Sequence, residues 1–323
     1  MGTLAKDVAV AGSESRAGQP TPDARAARRA RARLADRIVT YTLWGIAIAL
    51  TGLLAYFIFY TIQQGASLIN WRFITQSDVA GDLDGPELFN TFYILIFSLL
   101  ICVPLGLGCA IYLVEYARQG IFTTIVRFAT ETLAGVPSII LGLFGFIFFA
   151  SSVNGGLGFG VSRLAGTFTL VILNLPLLVR VSEDALRSVP GELREASAAL
   201  GANKFQTVAR VLVPAAIPAL TTGVILTAGK MIGETAALLY PAGGNSSPTG
   251  WFSLNPFLPG DTLAVHLYEL RAEGIVPNAQ QIANSTATLL IILLLVFNLG
   301  LRYLAGLLNR RLAGASARKT RNK

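Results

Sequence analysis

Of the 323 residues, 53% are hydrophobic and only 14% are charged, against about 25% charged in ordinary soluble domains, and the mean hydropathy is +0.58. So much apolar surface calls for a bilayer as solvent, which excludes a disordered regulator, a secreted disulfide scaffold and most soluble enzymes. The formal charge of +8 reads as cationic flanks of membrane spans, not as a nucleic-acid surface, because no aromatic and basic residues interleave in the way that strand binding needs.

Residues 1–37 are polar and rich in Ala, Gly and Arg. They lack the apolar core of a signal peptide, so they read as a flexible basic cytoplasmic tail. A first span follows over 38–62, then a polar loop over 63–87 with Asp78, Asp82, Asp84 and Glu87 but only Arg72. The second span is expected over 88–114, with Pro104 and Gly106 inside it, and the third over 128–150. A glycine-rich turn (Gly155, Gly156, Gly158, Gly160) leads to a short fourth span over 164–181. The fifth is expected over 208–240, broken by Pro214 and Pro218, then an external loop over 241–281, a sixth span over 282–308 and a basic cytoplasmic tail over 309–323. Each span is near or above the roughly 20 residues that a crossing helix needs, whereas barrel strands would be shorter and alternating. The fold class is therefore an all-α integral membrane protein with about six transmembrane helices, its membrane-spanning body lying in 38–308. Most Lys and Arg fall in the two tails, around 115–127 and in 180–210; the opposite side holds only Arg72, Arg163 and Arg271. Cation asymmetry thus puts both termini in the cytoplasm.

Cys102 and Cys109 lie two helical turns apart, roughly 10 Å, too far for a disulfide. His266 is the sole histidine, and no Cys or His accompanies it at a metal-binding spacing, so the sequence predicts no metal site. Gly223 to Lys230 fails as a phosphate loop: the glycine spacing is wrong, and Met231 stands where a hydroxyl should hold magnesium. Gly156-Leu157-Gly158-Phe159-Gly160 is no dinucleotide fingerprint, since no strand precedes it. The chain offers no nucleophile with a positioned histidine.

The stretch from Ser182 to Pro214 carries the most information. Pro190-Gly191 makes a turn, Glu192–Leu200 favours a helix, Gly201 suits a left-handed stop, and Asn203–Arg210 restarts a helix into the membrane. On these features alone it is a short amphipathic helix at the cytoplasmic face, either a docking knob or an ordinary loop helix. Its residues resemble more. Glu195-Ala196-Ser197, Gly201 and Val211-Leu212-Val213-Pro214 match in spacing the coupling motif of ABC-importer permeases, Glu-Ala-Ala, three residues, Gly, nine residues, Ile-x-Leu-Pro. Ser197 replaces the second Ala, and Val211 and Val213 replace Ile and Leu. The likeness narrows elsewhere. Pro104-Leu105-Gly106 with Ala110–Tyr116, and Leu133–Gly145, resemble the second and third spans of phosphate permeases; Gly233-Glu234-Thr235-Ala236-Ala237-Leu238-Leu239 is similar to the fifth-span signature of their PstA-type subunit; Thr262–Tyr268 fits their external segment. Together these cover roughly residues 85–305.

That resemblance implies type I ABC importer permease architecture and half of a translocation pathway for inorganic phosphate. It implies a heterodimer with a PstC-type permease subunit, two cytoplasmic ATPase subunits and an external phosphate-binding protein. The chain itself would bind no cofactor, with ATP and Mg on the ATPase, and would be a transport subunit and not an enzyme. Coupling to the ATPase would fall to Glu192, Glu195, Ala196, Gly201 and Pro214, with Pro214 and Pro218 as flexure points for a fifth span that tilts with the coupling helix. Two other readings stand: an ABC permease for sulfate or molybdate, and an ion-coupled secondary carrier, which would need no ATPase and for which the chain shows no inverted repeat.

Lys230 and Glu234 fall inside the fifth span, where a charge costs roughly 2.5–3.5 kcal/mol on the lenient insertion scale and so faces a cavity or a partner. Four residues apart, they would share a helix face. They either pair with each other or line the substrate pathway with Thr235, Lys230 meeting an oxyanion and Glu234 accepting a hydrogen bond from a protonated phosphate oxygen that sulfate lacks. The phosphate permeases usually carry arginine where Lys230 stands, and an ammonium cannot grip an oxyanion bidentately. Gly229 and Gly233 would form a small-residue face for close helix packing. Glu131 and Arg180 read as interfacial residues.

Overall fold

The computed structural model describes residues 22–76, 84–118, 120–243, 253–272 and 278–321, the side chains of 22–32, 154 and 308–321 excepted. Expectations for residues 1–21, for Asp78 and Asp82 and for much of the 241–281 stretch therefore lie outside the described residues, as do the side chains of the C-terminal basic tail. The chain divides into two units, Met1–Tyr60 and Thr61–Lys323. Every element among the described residues is helical: α1 (Pro22–Gly65), α2 (Trp71–Thr75), α3 (Gly85–Ile111), α4 (Ile121–Ala134), α5 (Ser138–Gly145), α6 (Arg163–Arg187), α7 (Gly191–Ala199), α8 (Lys204–Thr207), α9 (Val213–Ile232), α10 (Leu263–Ala272) and α11 (Ala279–Arg321). Wider π-type turns extend α3 through Tyr112–Tyr116 and α5 through Phe146–Ala150, and join α8 to α9 over Val208–Leu212.

Five of these stretches are long and apolar enough to cross a membrane, and α4 with α5 makes a sixth if the bent pair counts as one span. Helix reaches into both of the expected polar tails. α1 already starts at Pro22, inside the expected tail, and α11 continues as helix to Arg321.

The third span is not the straight 128–150 helix that the sequence suggests. It begins at Ile121 and bends by 101° between Ala134 and Ser138. Pro137 has no N–H to donate and holds Val136 out of the α region, so the ladder breaks there. The fifth span departs the other way. Pro214 and Pro218 do not break it, and the helix runs from Lys204 through Ile232. The Val208–Leu212 turn closes with the Val213 N–H on the Val208 carbonyl, five residues back, immediately before Pro214; that widened turn makes room for the proline ring. The helix then stops at Ile232, eight residues short of the expected Tyr240, with Gly233 as its cap.

The core lies between α3, α6 and α9 and the turns that follow α9. Leu95, Cys102, Leu170, Leu178, Ala228, Met231, Ile232 and Leu238 are buried together. Two smaller clusters close its ends. Ala110, Leu186, Val189, Val208, Leu212 and Ala216 pack beneath the coupling helix, and Phe73, Leu263, Leu270, Ile282, Ala283 and Leu289 pack at the opposite end. The second cluster explains why the expected external loop contains α10. Leu263 and Leu270 pack on that cluster while Val265 packs on the main core, so the helix is buried on more than one side.

Candidate functional site

α7 is the short helix that the sequence anticipates over this stretch. It runs from Gly191 to Ala199, and Gly201 takes φ +78° after it, a conformation that glycine adopts without strain. Asn203 restarts the chain with a reciprocal capping box: its side chain accepts the Gln206 N–H at 2.9 Å, and Gln206 accepts the Asn203 N–H at 3.0 Å. Glu192, Glu195, Ala196 and Leu200 all point outward and are exposed, Leu200 by 88%. The opposite face holds the helix down. Ser197 is buried with its hydroxyl 2.9 Å from the Thr207 hydroxyl. The Arg194 guanidinium donates to Glu115 at the end of the second span (3.1 Å) and to the Val189 and Leu186 carbonyls at the end of α6 (3.1 and 3.0 Å). Sequence reasoning missed Arg194. The signal was its three-residue spacing from Ser197, which puts both on the face away from Glu195. Pro214 lies at the start of α9, below this assembly and not in it.

On the membrane side of the coupling helix lies a cavity of about 550 Å³. Lys230 and Glu234 both line it, joined by Arg180 and Glu131, which the sequence placed at the interface, and by Arg127, Glu183, Asp184 and Arg187. Its walls come from the continuous helix α6, which supplies Leu173, Pro176, Leu177 and Val179 besides its charged residues, and from the two breaks in the helices. Thr130, Glu131, Ala134, Val136 and Ser138 flank the α4–α5 bend, and Glu234 follows the end of α9. Non-helical backbone at membrane depth is tolerated where it lines a cavity. Gly142 seats the bend: a Cβ there would come within 2.8 Å of the Ala236 carbonyl oxygen, so α5 lies directly on the segment after α9.

Four cations (Arg127, Arg180, Arg187 and Lys230) and four carboxylates (Glu131, Glu183, Asp184 and Glu234) line this cavity, and among the described residues Glu183 alone of these carboxylates lies within 4.0 Å of a cation. Glu183 accepts from Arg127 at 3.3 Å and from its helix neighbour Arg187 at 3.1 Å. Among the described residues, no carboxylate lies within 4.0 Å of Lys230 or Arg180. Lys230 and Glu234 therefore do not form the mutual pair that was one of the two readings. Nor do they share a helix face: Lys230 is in the last turn of α9, and Glu234 lies past its end, its N–H turned back to the Met231 carbonyl at 3.3 Å. Thr235 turns away from the cavity, its hydroxyl 3.4 Å from the Ala264 carbonyl. The expected Gly229–Gly233 packing face is halved for the same reason. A Cβ on Gly229 would stand 3.0 Å from the Asn298 amide of α11, whereas Gly233 ends the helix and faces open space.

A second polar cluster lies at the other end of the unit, among Asp84, Glu87, Asp261, His266 and Thr286, all buried. Thr286 donates to Asp84 at 3.1 Å, and His266 sits between Asp84 and Asp261 with each carboxylate 3.6 Å from one ring nitrogen. Burial pushes the Asp84 carboxyl up to about 6 against the pull of His266 and Thr286. Burial alone would lower the His266 imidazole, but Asp261, Glu87 and Asp84 outweigh it and raise it to about 9. The field at this point is thus strongly negative.

Comparison with known proteins assigns the frame. Residues 102–314 match the family described as binding-protein-dependent transport system inner membrane component. A probable ABC transporter permease protein, YqgI of Bacillus subtilis, is 38% identical over 292 residues, 87% of this chain and 98% of the relative. The phosphate transport system permease protein PstA of Haemophilus influenzae is 34% identical over 222 residues, 68% of this chain and 76% of the relative. PstA 1 of Mycobacterium tuberculosis strain CDC 1551 / Oshkosh is 44% identical over 144 residues, 45% of this chain and 46% of the relative, so that match spans about half of either protein. Among solved structures, a bacterial transporter that imports the acidic polysaccharide alginate aligns with TM-score 0.64 over 86% of this chain and 98% of that one at 17% identity, which shows the fold alone. With the family profile spanning most of the core and the Bacillus relative covered almost end to end, the chain belongs to the binding-protein-dependent transport system inner membrane components, as a multi-pass permease subunit of an ABC importer.

Proposed function

We propose that this permease forms half of the translocation pathway of an ATP-driven phosphate importer, paired with a PstC-type subunit, driven by two cytoplasmic ATPase subunits and fed by an external phosphate-binding protein. The relatives named PstA support the substrate. The observation that carries the reading is the cavity between the broken third span and the end of α9, where, among the described residues, Lys230 and Arg180 stand on the wall with no carboxylate within 4.0 Å, although four carboxylates line the same cavity. A cation kept unpaired where water and substrate pass attracts an oxyanion without the cost of first breaking an ion pair. Glu234 on the same wall accepts a proton-bearing oxygen, which a phosphate monoanion offers and sulfate does not.

Both termini lie in the cytoplasm in this reading, and the outward face of α7, with Glu192, Glu195 and Ala196, seats in a cleft of the ATPase. Ala196 permits close approach and Glu195 meets a cationic group. ATP-driven closure of the ATPases moves α7, and Arg194 carries that movement to Glu115 and to the end of α6.

The test is a variant series assayed by ATP-dependent uptake of labelled phosphate in proteoliposomes holding the full assembly. Lys230→Ala is expected to cut uptake on the order of tenfold, the loss of one charge-assisted contact, and Lys230→Arg to restore most of it. Normal transport by membrane-inserted Lys230→Ala would refute the pathway role.

A further inference from the structure

The cluster at the start of the second span offers donors that the transport reading does not use. Glu87, Asp261 and His266 each present one ligand atom, and these atoms lie within 4.8 Å of one another. All three residues are buried: Glu87 is 3% exposed, Asp261 1% and His266 9%. Asp84, fully buried, stands beside them with its Oδ1 3.6 Å from His266 Nε2. Two polar atoms here, Asp84 Oδ2 and His266 Nε2, have no hydrogen-bond partner despite burial, and such atoms in a native fold call for an explanation. Asp84, Glu87, Asp261 and His266 together bring three carboxylates and one imidazole, donor types that hold a divalent cation, to one buried place.

We infer that Glu87, Asp261 and His266 form a structural site for a divalent transition-metal ion of the Zn²⁺ type, with Asp84 as its outer partner. The donor set selects the metal. Calcium and magnesium take oxygen ligands, whereas an imidazole with two carboxylates suits zinc. Ligands about 2.0–2.2 Å from zinc stand roughly 3.4 Å apart in a tetrahedron, a closure that side-chain rotation alone supplies. Asp84 is held by Thr286 of α11 at 3.1 Å, so an ion here fastens the start of α3, the α10 segment and α11 into one block at the end opposite the coupling helix. Spacing along the chain hid the site, because Glu87 is remote in sequence from Asp261 and His266.

The full chain, in lipid nanodiscs, is stripped with a chelator and then equilibrated with micromolar Zn²⁺ or Co²⁺. Wild type is expected to retain about one Zn²⁺ per chain by elemental analysis, to melt at higher temperature with the metal than without it, and to give with Co²⁺ the visible absorption of a tetrahedral site. Glu87→Gln and His266→Gln are each expected to weaken binding by at least about tenfold. Failure of wild type to hold zinc at that concentration, or equal binding by both variants, would overturn the site. Should the variants not fold, X-ray absorption on wild type decides: one nitrogen with oxygen donors supports the assignment, and sulfur from Cys102 or Cys109 contradicts it. None of these readouts depends on what the permease transports.

Discussion

Arg194 shows how one side chain can matter more than the motif beside it. Glu195 and Ala196 carry the family likeness and are exposed, while Arg194 makes three hydrogen bonds, to Glu115 and to the Leu186 and Val189 carbonyls. Arg194→Ala is expected to leave ATP hydrolysis by the assembly largely intact and to lower phosphate uptake by about tenfold, the loss of hydrogen bonds from a charged donor. The paired exchange Arg194→Glu with Glu115→Arg should recover part of that loss. Measuring hydrolysis and uptake in the same proteoliposomes checks it: an equal fall in both would make Arg194 a matter of folding, not of coupling. Of the cavity residues, Lys230 and Glu234 could be read from sequence because charge inside an apolar run is conspicuous. Arg180 and Glu131 could not: the fourth helix runs on to Arg187, past its expected end at 181, so Arg180 lies within it, and Glu131 stands beside the α4–α5 bend.

At the scale of elements, the two breaks matter more than the helices. The α4–α5 bend and the stop at Gly233 expose backbone beside the cavity and place charged side chains on its wall. The coupling turn depends on Gly201 at φ +78°. A branched residue there forces strain of roughly 1–2 kcal/mol, so Gly201→Val is expected to lower uptake and the melting temperature together, whereas Gly201→Asn, which tolerates the left-handed region, should retain most function. Gly142→Leu is expected to be worse, because its side chain would meet backbone oxygen and not a movable group; the melting temperature of the purified chain measures this. Hydropathy along the chain located the spans but misjudged their continuity. Prolines are visible in sequence, but whether one bends a helix depends on what surrounds it: Pro137 follows the cap glycine Gly135, while a widened turn accommodates Pro214. α10 was hidden for a related reason, since its helix depends on burial against α11 and not on local propensity.

At the scale of the whole molecule, the proposed function gives the short helix α7, the charged cavity and the buried polar cluster separate places in one permease subunit. Topology is directly testable. With Cys102 and Cys109 replaced by alanine, Leu200→Cys in the coupling turn is expected to react with an impermeant maleimide only from the cytoplasmic side, and Leu254→Cys only from the opposite side. Both positions are exposed, by 88% and 73%, so failure to label would report the membrane and not the fold. The central claim is decided by uptake in proteoliposomes that hold the chain, its partner permease, the ATPase and the binding protein. Phosphate accumulation that requires ATP and persists in excess sulfate is the expected result. Accumulation abolished by sulfate, or proceeding without the ATPase, would contradict it.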